Sequence, residues 1–143
     1  MATFKTFEDI DAWRDARILA DRIFKLTIEG SFSKDFKLRD QINGSSGSIM
    51  DNIAEGFERE GNREFIQFLS IAKASAGETR SQLYRALDRN HITEIEFNSL
   101  KEDVLQISKR ISGLIGYLKK SDLKGPKFVR EPNESYGTPN LEL

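Results

Sequence analysis

The chain has 143 residues, a mass of 16.3 kDa, 38% hydrophobic and 31% charged residues, the size and composition of one folded domain around a single core. With no cysteine and one histidine, His91, it excludes disulfides, thiolate nucleophiles, Cys-based zinc or iron–sulfur sites and paired-histidine metal sites within one chain. A formal net charge of −1 excludes a generic polyanion binder and confines any nucleic-acid role to a local patch.

No stretch approaches the roughly 18 apolar residues of a membrane span. The opening Met1-Ala2-Thr3-Phe4-Lys5 lacks the apolar centre of a signal peptide, so the expected compartment is cytoplasmic. All three prolines lie at Pro126, Pro132 and Pro139, which leaves the preceding chain free of strong helix breakers.

Four segments carry the helical period. The first spans Phe7 to Glu29, with Ile10, Trp13, Ala16, Ala20, Ile23 and Phe24 on one face. Thr6 and Asp9 form a capping-box pattern at its start, and Gly30 is its stop. The second spans Phe36 to Phe57 on Leu38, Ile42, Ile49, Ile53 and Phe57. Its centre, Asn43-Gly44-Ser45-Ser46-Gly47-Ser48, is poor in helix formers, each glycine costing about 0.8–1 kcal/mol relative to alanine. The apolar phase survives the gap, which predicts one continuous helix whose small residues let two backbones approach. The third spans Arg63 to Asn90, with Asn62 as N-cap and Phe65, Leu69, Ala72, Ala76, Leu83 and Leu87 on one face. The fourth spans Glu94 to Lys120, opened by the Thr93/Glu96 capping box, with Leu100, Val104, Ile107, Ile111, Leu114 and Leu118 as its stripe.

No segment reads as a strand. Four amphipathic helices on short loops bury their faces against one another, which predicts an all-α, antiparallel up-down-up-down four-helix bundle. Residues 1–120 form this bundle and residues 121–143 a proline-containing extended tail.

Catalytic chemistry finds little footing. A di-iron bundle site needs repeated Glu-x-x-His pairs, whereas His91 has only Asp88 before it. Ser45, Ser46 and Ser48 lie in no nucleophile elbow, and His91 reads as a surface loop residue. Gly56 and Gly61 precede no Gly-Lys-Ser/Thr phosphate loop. Asp51, Glu55 and Glu58 fall along one side of the second helix and read as a solvated edge. The chain therefore reads as a non-enzyme, with no cofactor or metal assigned.

The third helix carries the strongest functional pattern. Lys73 and Arg80 lie seven residues apart, within about 20° around the axis, and flank the apolar face beside Tyr84. Arg85 and Arg89 form a second basic edge. Such a stripe suits phosphate contacts, with Tyr84 as a stacking ring; pairing with Asp21 or Asp103 is the ordinary alternative. RNA or DNA is the ligand class this pattern suits.

Several motifs resemble a bacterial four-helix bundle family named for proteins encoded in intervening sequences of 23S ribosomal RNA genes. They are Phe7-Glu8-Asp9-Ile10-Asp11-Ala12-Trp13, Leu38-Arg39-Asp40-Gln41-Ile42, the Ser48–Phe57 string with Asn52-Ile53-Ala54-Glu55-Gly56, and the Glu64–Ser75 run followed by Glu78. The resemblance covers residues 4 to 118 and implies a homopentameric ring. It also implies association with nucleic acid, or with a nucleic-acid enzyme such as a retroelement reverse transcriptase. It carries over Asn52, Glu55, Gly56, Ser75 and Glu78 as structural polar or assembly positions. The chain departs from the pattern at Asn43–Gly47, where basic residues are usual, and at Met50, where proline is usual. Phe32, Phe36, Phe97 and Tyr117 are the apolar residues expected beyond the needs of one slim bundle, and Glu55→Ala is expected to damage folding or assembly.

Overall fold

A computed structural model describes residues 4–124. A 3-10 turn at Phe7–Asp9 leads into α1 (Asp11–Thr27); a second 3-10 turn at Gly30–Lys34 connects to α2 (Phe36–Glu58), followed by α3 (Asn62–Asp88) and α4 (Glu94–Lys124). The described residues contain no strand.

Each helix packs on its neighbour in sequence, and α4 closes the circle on α1. Hydrogen bonds across the pairs fix the directions. Between α2 and α3, Gln41 meets Arg85, Ser45 meets Thr79 and Ser48 meets Ser75, one series rising as the other falls. Between α1 and α4, Arg110 bonds Asp11 and Asp15 while Arg22 bonds Asp103 and Ser99. Between α3 and α4, Tyr84 meets Phe97 and Lys101 near the start of α4, while Lys73 shares a groove with Ser108 further along, so these neighbours too are antiparallel and the bundle runs up-down-up-down. The centre is aliphatic: Ala16, Leu19 and Ile23 from α1, Leu38, Ile42, Ile49 and Ile53 from α2, Leu69, Ala72, Ala76 and Leu83 from α3, and Leu100, Val104, Ile107, Ile111 and Leu118 from α4 are all buried.

The element ends differ from the periodicity in instructive ways. The Thr6/Asp9 pattern caps the 3-10 turn and not α1: the Asp9 carboxylate accepts from the backbone N–H of Thr6 at 3.1 Å and of Lys5 at 2.9 Å. The buried register of α1 is Ala12, Ala16, Leu19, Ile23 and Thr27, at three- and four-residue steps. Phe24, expected on the apolar face, is half exposed. Gly61, at φ +92°, is the residue that precedes α3; Asn62 is its first helical residue, buried, with Oδ1 lacking a partner among the described residues. The α3 C-terminus closes on Asn90 in the left-handed region, φ 60°. The Asn90 and His91 N–H groups bond back to Leu87 and Ala86 carbonyls, the five-to-two and six-to-one pair of a Schellman cap. Thr93 and Glu96 make the reciprocal capping box, at 2.9 and 3.1 Å. The last helix continues to Lys124, past the expected end, and buries Ser121; the rest of the proline-containing tail lies outside the described residues.

The small-residue centre of α2 stays helical, as its apolar phase requires, but not for backbone approach. A Cβ at Gly44 or Gly47 would meet nothing within 4 Å. The close contact is at Gly56, where a Cβ would sit 2.6 Å from Phe68 Cβ and 3.1 Å from Phe65 Cδ1. Phe32 and Phe97, expected as surplus apolar surface, are buried in the chain's own core, and Tyr117 packs partly against it.

Candidate nucleic-acid interface

Helix α3 presents two flanks, and the residues singled out from sequence divide between them. On the flank facing α2, the polar centre of α2 finds its purpose. The Thr79 hydroxyl donates to Ser45 Oγ at 2.9 Å, and Ser45 donates to Gln82 Oε1 at 2.6 Å. All three residues are buried. One turn along, Ser48 and Ser75 share a 3.0 Å hydrogen bond, and the Asn52 amide donates to the Ser48 hydroxyl and carbonyl, both at 2.8 Å. Buried hydroxyls and amides need such partners, since an unmet one costs about 1–3 kcal/mol. Asn52, Ser75 and Gly56 thus converge on one α2–α3 seam. Glu55 does not join this network: it is exposed and pairs with Arg59 at 2.9 Å. Glu78 is exposed too and accepts from Gln82 at 3.4 Å.

Arg85 and Arg89 are engaged across the bundle. Arg85 donates to Gln41 Oε1 at 3.2 Å and Arg89 to Asp35 Oδ2 at 2.8 Å. The same Asp35 oxygen meets His91 Nε2 at 2.8 Å, while His91 Nδ1 meets Ser31 Oγ at 2.8 Å. The imidazole stacks on Phe32, centroids 4.9 Å apart, and its side chain is 8% exposed. His91 is therefore no surface loop residue; it is wedged between the α1–α2 connection and the α3–α4 turn. The hydrogen bond from His91, followed by that from Arg89, lowers the Asp35 carboxyl to about 2. An ionised carboxylate only accepts, so the His91 proton sits on Nε2. Asp35 also caps α2, accepting from the Leu38 N–H.

On the flank facing α4, Lys73 and Arg80 line a shallow groove of about 160 Å³ with Ala76, Gly77, Val104, Leu105 and Ser108. Both cations are exposed, and neither makes an ion pair or hydrogen bond among the described residues. The acids that sequence offered them are occupied elsewhere: Asp21 by Lys25 at 2.9 Å and Asp103 by Arg22. Beyond Arg80 the Tyr84 ring packs edge-on against Phe97, 4.8 Å away, and Lys101 Nζ sits 5.7 Å from its centroid. Tyr84 is thus engaged by a cation and a second ring while remaining 44% exposed.

Sequence reading missed Lys101, which one turn of antiparallel registry from Tyr84 would have supplied. It also missed the Ser31–His91–Asp35 chain, whose members are 60 and 56 residues apart and share no local signal. Among the described residues no cluster of three His, Asp or Glu could hold a metal ion, and no helix is long and apolar enough to cross a membrane.

A closed antiparallel bundle with a saturated seam on one side of α3 and an unpaired cationic groove on the other defines a class: small helical-bundle proteins. The model of the 23S rRNA-intervening sequence protein family matches residues 8–113, and the chain belongs to that family. Among solved structures it is similar to a protein of unknown function from the S23 ribosomal protein family of Bacteroides thetaiotaomicron VPI-5482. The identity is 28% and the TM-score 0.68, over 73% of this chain and 95% of that one. No curated protein matches.

Proposed function

We propose that this chain is a non-enzymatic, oligomeric helical-bundle protein that associates with nucleic acid through backbone phosphates in the α3–α4 groove. The observation that carries the reading is the pair Lys73 and Arg80, which face that groove without a carboxylate. Unpaired cations at ~10.5 Å spacing along a helix, on long flexible side chains, suit a phosphate backbone passing between them. No base-reading element is present in the groove, so contacts position a backbone and do not specify sequence. Arg85 and Arg89 already serve Gln41 and Asp35 and contribute less. A ring of identical chains, a pentamer by family resemblance, repeats the groove and offsets the near-neutral net charge.

The test is affinity for a mixed-sequence single strand and for a structured RNA at two salt concentrations. Binding is expected to be nearly sequence-independent and to fall steeply with salt. Lys73→Ala with Arg80→Ala is expected to weaken it and to lower the salt slope by about 0.7 for each single-strand phosphate left without its cation. A wild-type protein that binds neither ligand at low salt defeats the reading.

A second reading, an adaptor or accessory subunit of a nucleic-acid enzyme such as a reverse transcriptase, is favoured by a different surface. Phe24, Ile28 and Phe36, at 50%, 53% and 62% exposure, lie where the C-terminal end of α1 meets the start of α2. Exposed apolar residues grouped this way suit a protein contact. Copurification of a defined protein that Phe36→Ser abolishes and Lys73→Ala preserves supports it. A homo-oligomer, by contrast, gives a light-scattering mass well above 16.3 kDa.

A further inference from the structure

We infer that Gly77 is a phosphate seat: its missing side chain lets one phosphate rest against the α3 backbone between Lys73 and Arg80. The inference deepens the nucleic-acid reading and takes its ligand class from it. Three observations converge. Gly77 lies in the middle of a long helix, where glycine is a poor helix former. Packing among the described residues does not require it, because a Cβ there would meet no atom within 4 Å; the same holds for Gly44, Gly47, Gly113 and Gly116, and of these five only Gly77 lines the groove with the two cations. Gly56 is the contrast, since Phe68 forbids any side chain there. Finally, Gly77 lines the same groove as the two unpaired cations, four residues after Lys73 and three before Arg80. Positions three and four apart share a helix face, so the open spot on the backbone lies between the two charges.

A Cβ at this spot would occupy the space that a phosphate oxygen needs. Ala76 beside Gly77 and Ser108 across the groove keep the surrounding walls low, and Ser108 offers a hydroxyl donor. A tetrahedral dianion or a strand phosphodiester meets the same chemistry there: two cations and one hydroxyl, over a stretch of helix whose own N–H groups are already bonded, so that Gly77 contributes room and no donor. The proposal commits to the phosphodiester of a single strand, with the small ion as the control.

The experiment uses the full chain, inorganic phosphate, and a mixed-sequence single-stranded DNA of about a dozen nucleotides, at about 50 mM salt. The variants are Gly77→Ala, Gly77→Leu and the pair Lys73→Ala with Arg80→Ala. Readouts are Tm, affinity, and the backbone amide shift of Gly77 in the wild type. Gly77→Ala is expected to raise Tm by about 3–5 °C, since alanine is the better helix former, while weakening strand binding several-fold. Gly77→Leu is expected to weaken it to the level of the cation pair, about tenfold. A variant that is more stable and binds less well separates a seat from a structural glycine. If both Gly77 variants bind as wild type does while the cation pair loses binding, the seat is refuted and the nucleic-acid reading survives. If inorganic phosphate shifts the Gly77 amide but no strand binds, the groove takes a small anion only, and both the phosphodiester seat and the nucleic-acid reading fall. If wild type binds neither probe, both fall.

Discussion

The two flanks of α3 are built from similar stock and end in opposite states. Toward α2, Ser75, Thr79 and Gln82 are matched by Ser45 and Ser48. Toward α4, Lys73 and Arg80 are matched by nothing among the described residues, and the groove between them is floored by Gly77. A polar side chain is informative through its partners more than its type. Where a buried donor already has its acceptor, the group belongs to folding. Where an exposed cation keeps no partner among the described residues, in a bundle that pairs most of its arginines, folding does not account for it.

The sharpest way to break this contrast is at the floor of each flank. Gly56→Leu places a side chain where Phe68 Cβ already lies 2.6 Å from the new Cβ. The expected destabilisation is about 3 kcal/mol or more, measured as a lower urea midpoint. If Gly56→Leu leaves the midpoint unchanged, the packing between α2 and α3 is looser than the structure has it.

Next in size is Ser45→Ala. It strips Gln82 and Thr79 of a common partner in a buried site, for an expected loss of about 1–3 kcal/mol. A double-mutant cycle with Thr79→Val should show coupling, because the two residues share one hydrogen bond. Additive losses would show that the seam is a set of independent contacts.

Acid unfolding probes the third site. Asp35 stands at about 2 against an ordinary 3.8, so the folded state favours its ionised form. That contribution is complete above about pH 4 and is lost as pH falls through 2. Asp35→Asn, followed by urea unfolding, should remove the part of the wild-type decline between pH 4 and 2 that this carboxyl carries. A variant with the wild-type acid slope would assign the decline to other carboxylates.

The smallest effects belong to the exposed charges. Lys73→Ala with Arg80→Ala should leave stability within about 0.5 kcal/mol, read as a near-constant Tm, because neither residue holds anything in place. Glu55→Ala removes one exposed i,i+4 pair with Arg59, worth about 0.3–0.5 kcal/mol. A fall in Tm well beyond a degree or two, or loss of oligomer mass without loss of helix, would return Glu55 to an assembly role.

The fold was legible because four apolar stripes repeat at the helical period, and even the glycine-serine centre of α2 kept phase. Positions set by backbone handedness were less so. Asn90 ends α3 by taking a left-handed conformation, and no local pattern separates it from the other polar residues of that turn. Phe24 was misplaced because it follows Ile23 directly and so sits about 100° round the axis from the buried face. Of the candidate site, Lys73 and Arg80 could be seen as a pair on one face. That Arg85 and Arg89 were spoken for could not, since Gln41 and Asp35 lie 44 and 54 residues away. The role of Ser45 was hidden for the same reason: its justification sits on another helix.

The wedge of His91 between Ser31 and Asp35 also makes the two ends of the bundle mechanically unlike. At one end two connections are riveted together through a stacked ring and three charged or polar groups. At the other, the turn into α3 rests on a glycine at φ +92° and leaves the buried Asn62 Oδ1 without a partner among the described residues. Local opening follows the cheapest route, so the bundle should breathe from the Gly61 end and hold at the His91 end. Helix-end amides around Asn62 would then exchange with solvent well before those around Ile92, and the riveted end would act as the hinge about which the four helices splay.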